Sequence, residues 1–135
     1  MRSTLESYGR MPVRAYGFGI EGRRGSVTFK ANAVDEFLAD LGGCAGVIAS
    51  AGHSLACEAL HLEKPMLMVP VAQQYEQAMN AFHIEKLGAG RGVERLSPEC
   101  IDAFVDRLDE YRAGAARLPK ASLARVVGAI EREIP

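Results

Sequence analysis

Hydrophobic and polar positions fall into blocks along the chain, most sharply between Val47 and Asn80. The apolar run Gly46-Val47-Ile48-Ala49 ends in Ser50-Ala51-Gly52, and a helical segment follows with Leu55, Ala59 and Leu62 on one face. A second apolar run, Met66-Leu67-Met68-Val69, stops at Pro70, and a polar turn leads into another helix. Short continuous apolar runs separated by helical segments predict parallel strands covered by helices.

The same reading extends outward. Met1 to Tyr8 reads as the end of a helix, Met11 to Phe18 as a strand, and Val27-Thr28-Phe29 as a short strand. Gly19 to Gly25 is glycine-rich and charged, the composition of an exposed loop. Asn32 suits the N-cap of a helix from Ala33 to Leu41, with Val34, Phe37, Leu38 and Leu41 facing the core and Gly42-Gly43 ending it. Gln74 to Leu87 is helical and stopped by Gly88; Ala89 to Val93 forms a last short strand. Ser97-Pro98 pairs a cap with proline at the first helical position, and Ile101, Phe104, Val105 and Leu108 follow on one face. A final amphipathic helix starts near Lys120, with Leu123, Val126, Val127, Ile130 and Ile134 inward.

The expected fold class is therefore α/β, a Rossmann-like parallel sheet flanked by helices. Doubly wound domains open on a strand and a glycine-rich loop at a helix N-terminus, and that strand is central in the order 3-2-1-4-5-6. This chain opens on the helix that would come next. Its first strand is expected to be absent, with the Val13 strand beside the Val47 strand or across an unpaired gap. Open sheet edges invite self-association or domain swapping.

Composition narrows the partners. A chain of 135 residues reads as one domain, and a net charge of −1 gives no electrostatic case for nucleic acid or an anionic membrane. Cys44, Cys57 and Cys100 are widely spaced without a C-x-x-C, the pattern of buried or half-buried free thiols in a reducing compartment. No apolar run approaches the roughly 18 residues of a transmembrane segment, so the expected setting is cytoplasmic.

Ligands of such sheets sit outside the carboxyl ends of the strands, where Gly52-His53-Ser54 and Gln73 to Gln77 fall. A small-residue turn before a helix lets backbone N–H groups approach a phosphate, reinforced by the helix dipole. The plainer alternative is a tight turn capped by Ser54. Glu58, one turn on, suits two ribose hydroxyls; Glu76, Gln77 and Asn80 open the next helix with the amides and carboxylate that sugars require. Solvated helix faces explain the same residues in isolation. Gly17-Phe18-Gly19-Ile20-Glu21-Gly22 matches G-x-G-x-x-G, but a strand-like Val27-Thr28-Phe29 follows instead of a helix, which argues against a dinucleotide site.

Taken in order, Phe37-Leu38-x-Asp40-Leu41, Val47-Ile48-x-Ser50-Ala51-Gly52, Glu58-Ala59-Leu60, Lys64-Pro65-Met66-Leu67-x-Val69-Pro70, Glu76-Gln77-x-x-Asn80-Ala81 and Leu87-Gly88-Ala89-Gly90 form a larger pattern. Over roughly residues 12 to 95 it resembles the C-terminal donor-binding domain of GT-B glycosyltransferases, nearest to glycosyltransferase family 28 and the peptidoglycan N-acetylglucosaminyltransferase. The resemblance implies a two-domain enzyme of which residues 1–135 are the nucleotide-sugar-binding part. Backbone groups near Phe37 and Leu38 would meet the base, typically uracil. Gly52, His53 and Ser54 would meet the diphosphate, and Glu58 the ribose. Glu76 and Gln77 would hold the sugar, with Asn80 supporting that helix start.

The phosphate turn departs from the family's His-Gly-Gly-x-Gly-Thr form, having a single glycine at Gly52. No catalytic residue is expected in this chain, because the general base of inverting members lies on the N-terminal domain. The donor, a UDP-sugar, is a substrate; no cofactor or metal is implied. The implied reaction transfers a hexosyl or N-acetylhexosaminyl group to an acceptor hydroxyl, with the full-length enzyme cytoplasmic or peripheral to a membrane. The main alternative is a non-catalytic donor-binding subunit that needs a partner chain. A sugar-nucleotide epimerase ranks last, having too few acid/base residues at the sugar site.

Overall fold

A computed structural model describes residues 1–120. The first half holds α1 (Arg2–Ser7), β1 (Val13–Ala15), β2 (Gly22–Arg24), β3 (Val27–Phe29), α2 (Val34–Gly43) and β4 (Val47–Ala49). The second holds α3 (His53–His61), β5 (Met66–Met68), α4 (Tyr75–Lys86), β6 (Gly90–Gly92), α5 (Pro98–Val105) and α6 (Leu108–Ala116). The expected helix beyond Lys120 lies outside the described residues.

The strands form two three-stranded sheets, in the orders β1-β3-β2 and β4-β5-β6. In the second, β4, β5 and β6 are all parallel, with Val47 opposite Met66 and Met66 opposite Gly90. The helices α3 and α4 make the two crossovers, the strand–helix alternation that the apolar runs predict. No ladder joins β1 to β4; among the described strands β1 pairs with β3 and β4 with β5.

The reason β5 reads as an uninterrupted apolar run lies in its position. Met66, Leu67 and Met68 are all fully buried because both faces of the strand are covered. Leu67 points into a cluster with Val27, Phe29, Ile101, Phe104 and Tyr111, which joins the two sheets in one core. Met66 and Met68 point the other way, against Ala56 and Ala59 of α3 and Ala81 and Ile84 of α4. The alanines let both helices lie close to the strand. Gly90 is required at its place, since a Cβ there would stand 2.1 Å from the Met66 carbonyl oxygen. Gly88, at φ +67°, takes the left-handed conformation that stops α4.

Several expectations need correction. The Gly19–Gly25 segment contains a strand: β2 pairs antiparallel with β3, Arg23 opposite Thr28, and every β2 residue is exposed. The N-cap of α2 is Ala33, and the helix runs through Gly42 and Gly43. Asn32 instead accepts the Gly17 amide at its Oδ1, 3.2 Å away. Of the four residues expected to face the core from α2, only Leu41 is buried; Val34 is 72% and Leu38 45% exposed. On α3 the buried residues are Ala56 and Ala59, while Leu62 is exposed. The helix after Ser97 breaks at Asp106-Arg107 into α5 and α6. Its start is as predicted, with Ser97 accepting the Cys100 amide at 3.3 Å.

Candidate functional site

Both polar turns lie past the carboxyl ends of the central strands, β4 leading to α3 and β5 to α4. Each contains a non-glycine residue in the left-handed region, Ala51 at φ +65° and Gln73 at φ +67°. Such conformations cost roughly 1–3 kcal/mol and persist where the surroundings enforce them, often at ligand sites. Here the enforcement comes from α4. Asn80 donates its side-chain amide to the Ala51 carbonyl at 3.0 Å, and Gln77 accepts the Val71 amide at 2.9 Å. One helix thus braces the turn behind it and the turn before it.

At the start of α3 the N-cap is Gly52, and no side chain caps the helix. Ser54 therefore does not serve as the cap, and the first-turn N–H groups keep no side-chain partner. His53 and Ser54 are both exposed there. The His53 ring nitrogen Nε2 lies 3.6 Å from Cys57 Sγ, one turn along. Cys57 is itself exposed, unlike the half-buried Cys44 and Cys100, which corrects the expectation of three sheltered thiols.

Between α2, α3 and the loop after β1 lies a cavity of about 450 Å³. Its lining is Tyr16, Gly17, Asn32, Ala33, Val34, Phe37, Leu38 and Glu58. The structure therefore brings together three residues singled out from sequence, Phe37, Leu38 and Glu58. It does not put Gly52, His53, Ser54, Glu76, Gln77 or Asn80 into this cavity. Glu76 is exposed on the first turn of α4. Gln77 has its carbonyl oxygen committed to Val71, and Asn80, expected to support the start of its own helix, instead braces the α3 turn through Ala51. The glycine-rich G-x-G-x-x-G segment leads into β2, with no helix to receive a pyrophosphate, yet its Gly17 lines the cavity.

The cavity wall is fixed by a charged cluster on its outer side. Asp40 of α2 accepts from Arg14 Nη1 at 2.6 Å, the Tyr16 hydroxyl at 2.6 Å and Lys30 Nζ at 2.8 Å. Lys30 also meets Glu36 at 2.5 Å. The Lys30 ammonium, then the Tyr16 hydroxyl, hold the Asp40 carboxyl below its ordinary range. The bond to Asp40, then the one to Glu36, raises the Lys30 ammonium. Burial, then the bond to Asp40, raises the Tyr16 phenol. Tyr16 meets Phe37 edge-to-face at 5.2 Å between ring centroids.

Residues 1–109 match the family model described as glycosyl transferase family 1. The chain belongs to glycosyl transferase family 1. Its fold, a parallel sheet flanked by helices, is that of a part of GT-B glycosyltransferases, as its structural likenesses show. Spinosyn forosaminyltransferase SpnP superposes with a TM-score of 0.75 at 18% identity, covering 98% of this chain and 37% of SpnP. The glycosyltransferase SnogD from Streptomyces nogalater gives 0.67 at 19%, covering 85% and 32%. The glycosyltransferase VinC, solved in complex with dTDP, gives 0.59 at 23%, covering 78% and 29%. This family 1 chain thus spans about a third of the length of the solved structures it matches. No curated protein matches it by sequence. Among the described residues no helix is long and apolar enough to cross a membrane, and no three His, Cys, Asp or Glu side chains cluster as metal ligands.

Sequence reasoning missed Tyr16, Gly17, Asn32 and the bracing of Ala51. The available signal was an aromatic residue just past a strand end and before a glycine, a place where side chains reach ligand sites.

Proposed function

We propose that this family 1 chain binds the nucleotide-sugar donor of an inverting GT-B glycosyltransferase, of the kind whose donor domain family 28 exemplifies. The observation that carries the reading is the cavity in which Phe37 and Leu38 face Glu58, beside the uncapped start of α3. An apolar cleft with a carboxylate at one wall suits a base and its ribose. Backbone N–H groups at a helix start suit the diphosphate. The complex of VinC with dTDP supports widening the donor from UDP-sugars to pyrimidine nucleoside diphosphate sugars. The donor sugar extends toward Glu76 and Gln77 on α4.

In the whole enzyme a base from the acceptor-binding part takes the proton of an acceptor hydroxyl. That oxygen attacks the anomeric carbon as the bond to the diphosphate oxygen breaks, inverting the centre. The departing nucleoside diphosphate carries the electron pair, and the α3 N–H groups stabilise the charge that develops on it. The chain alone binds the donor and does not transfer it. Partnering follows either within a longer polypeptide or with a separate acceptor-binding chain, in a cytoplasmic or membrane-peripheral setting. Self-association through the β1 and β4 edges is the further possibility, tested by sedimentation at rising concentration.

The direct test is titration of UDP, dTDP and UDP-N-acetylglucosamine into the chain, followed by amide shifts. Shifts at Phe37, Leu38, Gly52 to Ser54 and Glu58 are expected, with added shifts at Glu76 and Gln77 when the sugar is present. Glu58→Ala is expected to weaken nucleotide binding by about 1–3 kcal/mol. Unchanged affinity in that variant removes Glu58 from the ribose.

A further inference from the structure

The cavity is mostly apolar, and two of its residues, Val34 and Leu38, leave much of their surface to solvent. Such surface marks a place that a planar apolar group covers. Tyr16 faces the same space from the opposite element, directly after β1. It precedes Gly17 and Gly19, both at positive φ, so the backbone on that side does little to fix the ring. What fixes it is the hydroxyl bond to Asp40 at 2.6 Å. Asp40 in turn is only 15% exposed and is held by Arg14 and Lys30, so β1, α2 and the residue after β3 meet at one carboxylate. The ring of Phe37 closes the corner, edge-to-face with Tyr16.

From this arrangement we infer that Tyr16 is the aromatic wall against which the nucleotide base lies, and that Asp40 is the positioning residue that holds the wall in place. The inference rests on the nucleotide reading of the cavity and deepens it, since it names the face that recognises a planar heterocycle. Asp40 itself touches no ligand. The groups facing it are Arg14, Tyr16 and Lys30, with Glu36 across Lys30. Base recognition thereby depends on a carboxylate on the far side of the wall.

The test uses the whole chain with uridine and UDP as probes, measured by calorimetric titration and by the upfield ring-current shift of the base protons in NMR. Tyr16→Leu removes the ring and is expected to lower the affinity for both probes about tenfold and to abolish most of the upfield shift. Tyr16→Phe keeps the ring but not its tether, and is expected to lose about threefold in affinity with a smaller shift. Asp40→Ala, which removes the acceptor, should resemble Tyr16→Phe and not Tyr16→Leu. The double variant should be no worse than either single one, because both remove the same bond.

The outcomes separate cleanly. Wild-type binding with an unchanged affinity and ring-current shift in Tyr16→Leu overturns the wall while leaving the nucleotide reading intact. A loss in Tyr16→Leu without one in Tyr16→Phe overturns the positioning role of Asp40. If Asp40→Ala fails to fold, Tyr16→Phe decides the positioning role alone, since it leaves the ion pairs in place. Absence of uridine and UDP binding to the wild-type chain overturns both readings together.

Discussion

In the sheet β4-β5-β6 every pairing is parallel and the central strand is fully buried, whereas in β1-β3-β2 the outer strand runs antiparallel and is exposed along its whole length. The sheet β4-β5-β6 is held by apolar packing on both faces, with Met66 and Met68 against one set of helices and Leu67 against the other core. Beside the sheet β1-β3-β2, order at the cavity depends on charge: Arg14, Lys30 and Tyr16 converge on Asp40. The two halves of the site should accordingly fail in different ways. The turn at α3 rests on a scaffold indifferent to pH and salt, while the wall at Tyr16 rests on ion pairs.

The comparison is broken most severely at Gly90. A methyl group there would meet the Met66 carbonyl oxygen at 2.1 Å, and that oxygen belongs to the backbone and cannot swing away, so Gly90→Ala forces β6 off β5. A loss above about 4 kcal/mol, or failure to fold, is expected in urea unfolding. If the variant unfolds like the wild type, the parallel sheet is not the rigid half. Next comes Leu67→Ala, which empties a fully buried site and should cost about 2–5 kcal/mol. A value below that range means the shared core between the sheets is loosely packed.

Asn80→Ala is a finer probe of the α3 turn, expected to cost about 1 kcal/mol through the lost bond to Ala51. Adding Ala51→Gly should recover part of this, because glycine adopts φ +65° without help. No recovery would mean that Asn80 supports something other than that conformation.

The smallest effect separates the two halves by pH. Asp40 has its carboxyl held down by Lys30 and Tyr16, so its contribution is complete above the ordinary value of about 4 and is lost as pH falls through the lower native value. Lys30, raised by the same contact, loses its contribution only as pH rises past about 10.4. Acidification below about pH 4 should therefore move the amide signals of Tyr16 and Gly17 before those of Leu67 and Met68 in the buried strand β5. Simultaneous movement of both sets would erase the distinction. Arg14→Ala, at the exposed edge of the cluster, should change stability by under about 1 kcal/mol.

The same contrast explains how much of the molecule could be read from its sequence. The β4-α3-β5-α4 unit was legible because a strand covered on both faces must be apolar throughout, as Met66-Leu67-Met68 is. The hairpin at β2 was not, since Gly22-Arg23-Arg24 buries nothing and carries the composition of a loop. On α2 the apolar stripe was correctly seen and wrongly explained. Val34, Phe37 and Leu38 line a cavity, and periodicity does not distinguish a face that meets the core from one that lines an open cavity. Glu58 could be found locally, one turn into a helix after a small-residue turn. The pairs Tyr16–Asp40 and Asn80–Ala51 could not, being 24 and 29 residues apart with no shared local pattern.

The exposed thiol on α3 has a practical consequence. Cys57 sits next to Glu58 with its side chain in solvent, whereas Cys44 and Cys100 are half-buried and burial pushes the Cys44 thiol toward its unreactive protonated form. A mild alkylating reagent will therefore tag Cys57 ahead of the other two. That tag forms on α3 one turn from His53, whose Nε2 lies 3.6 Å from the sulfur, so the rate of mass gain reports how open the start of that helix is. One sulfur atom thereby serves as a chemical reporter on the first two turns of α3.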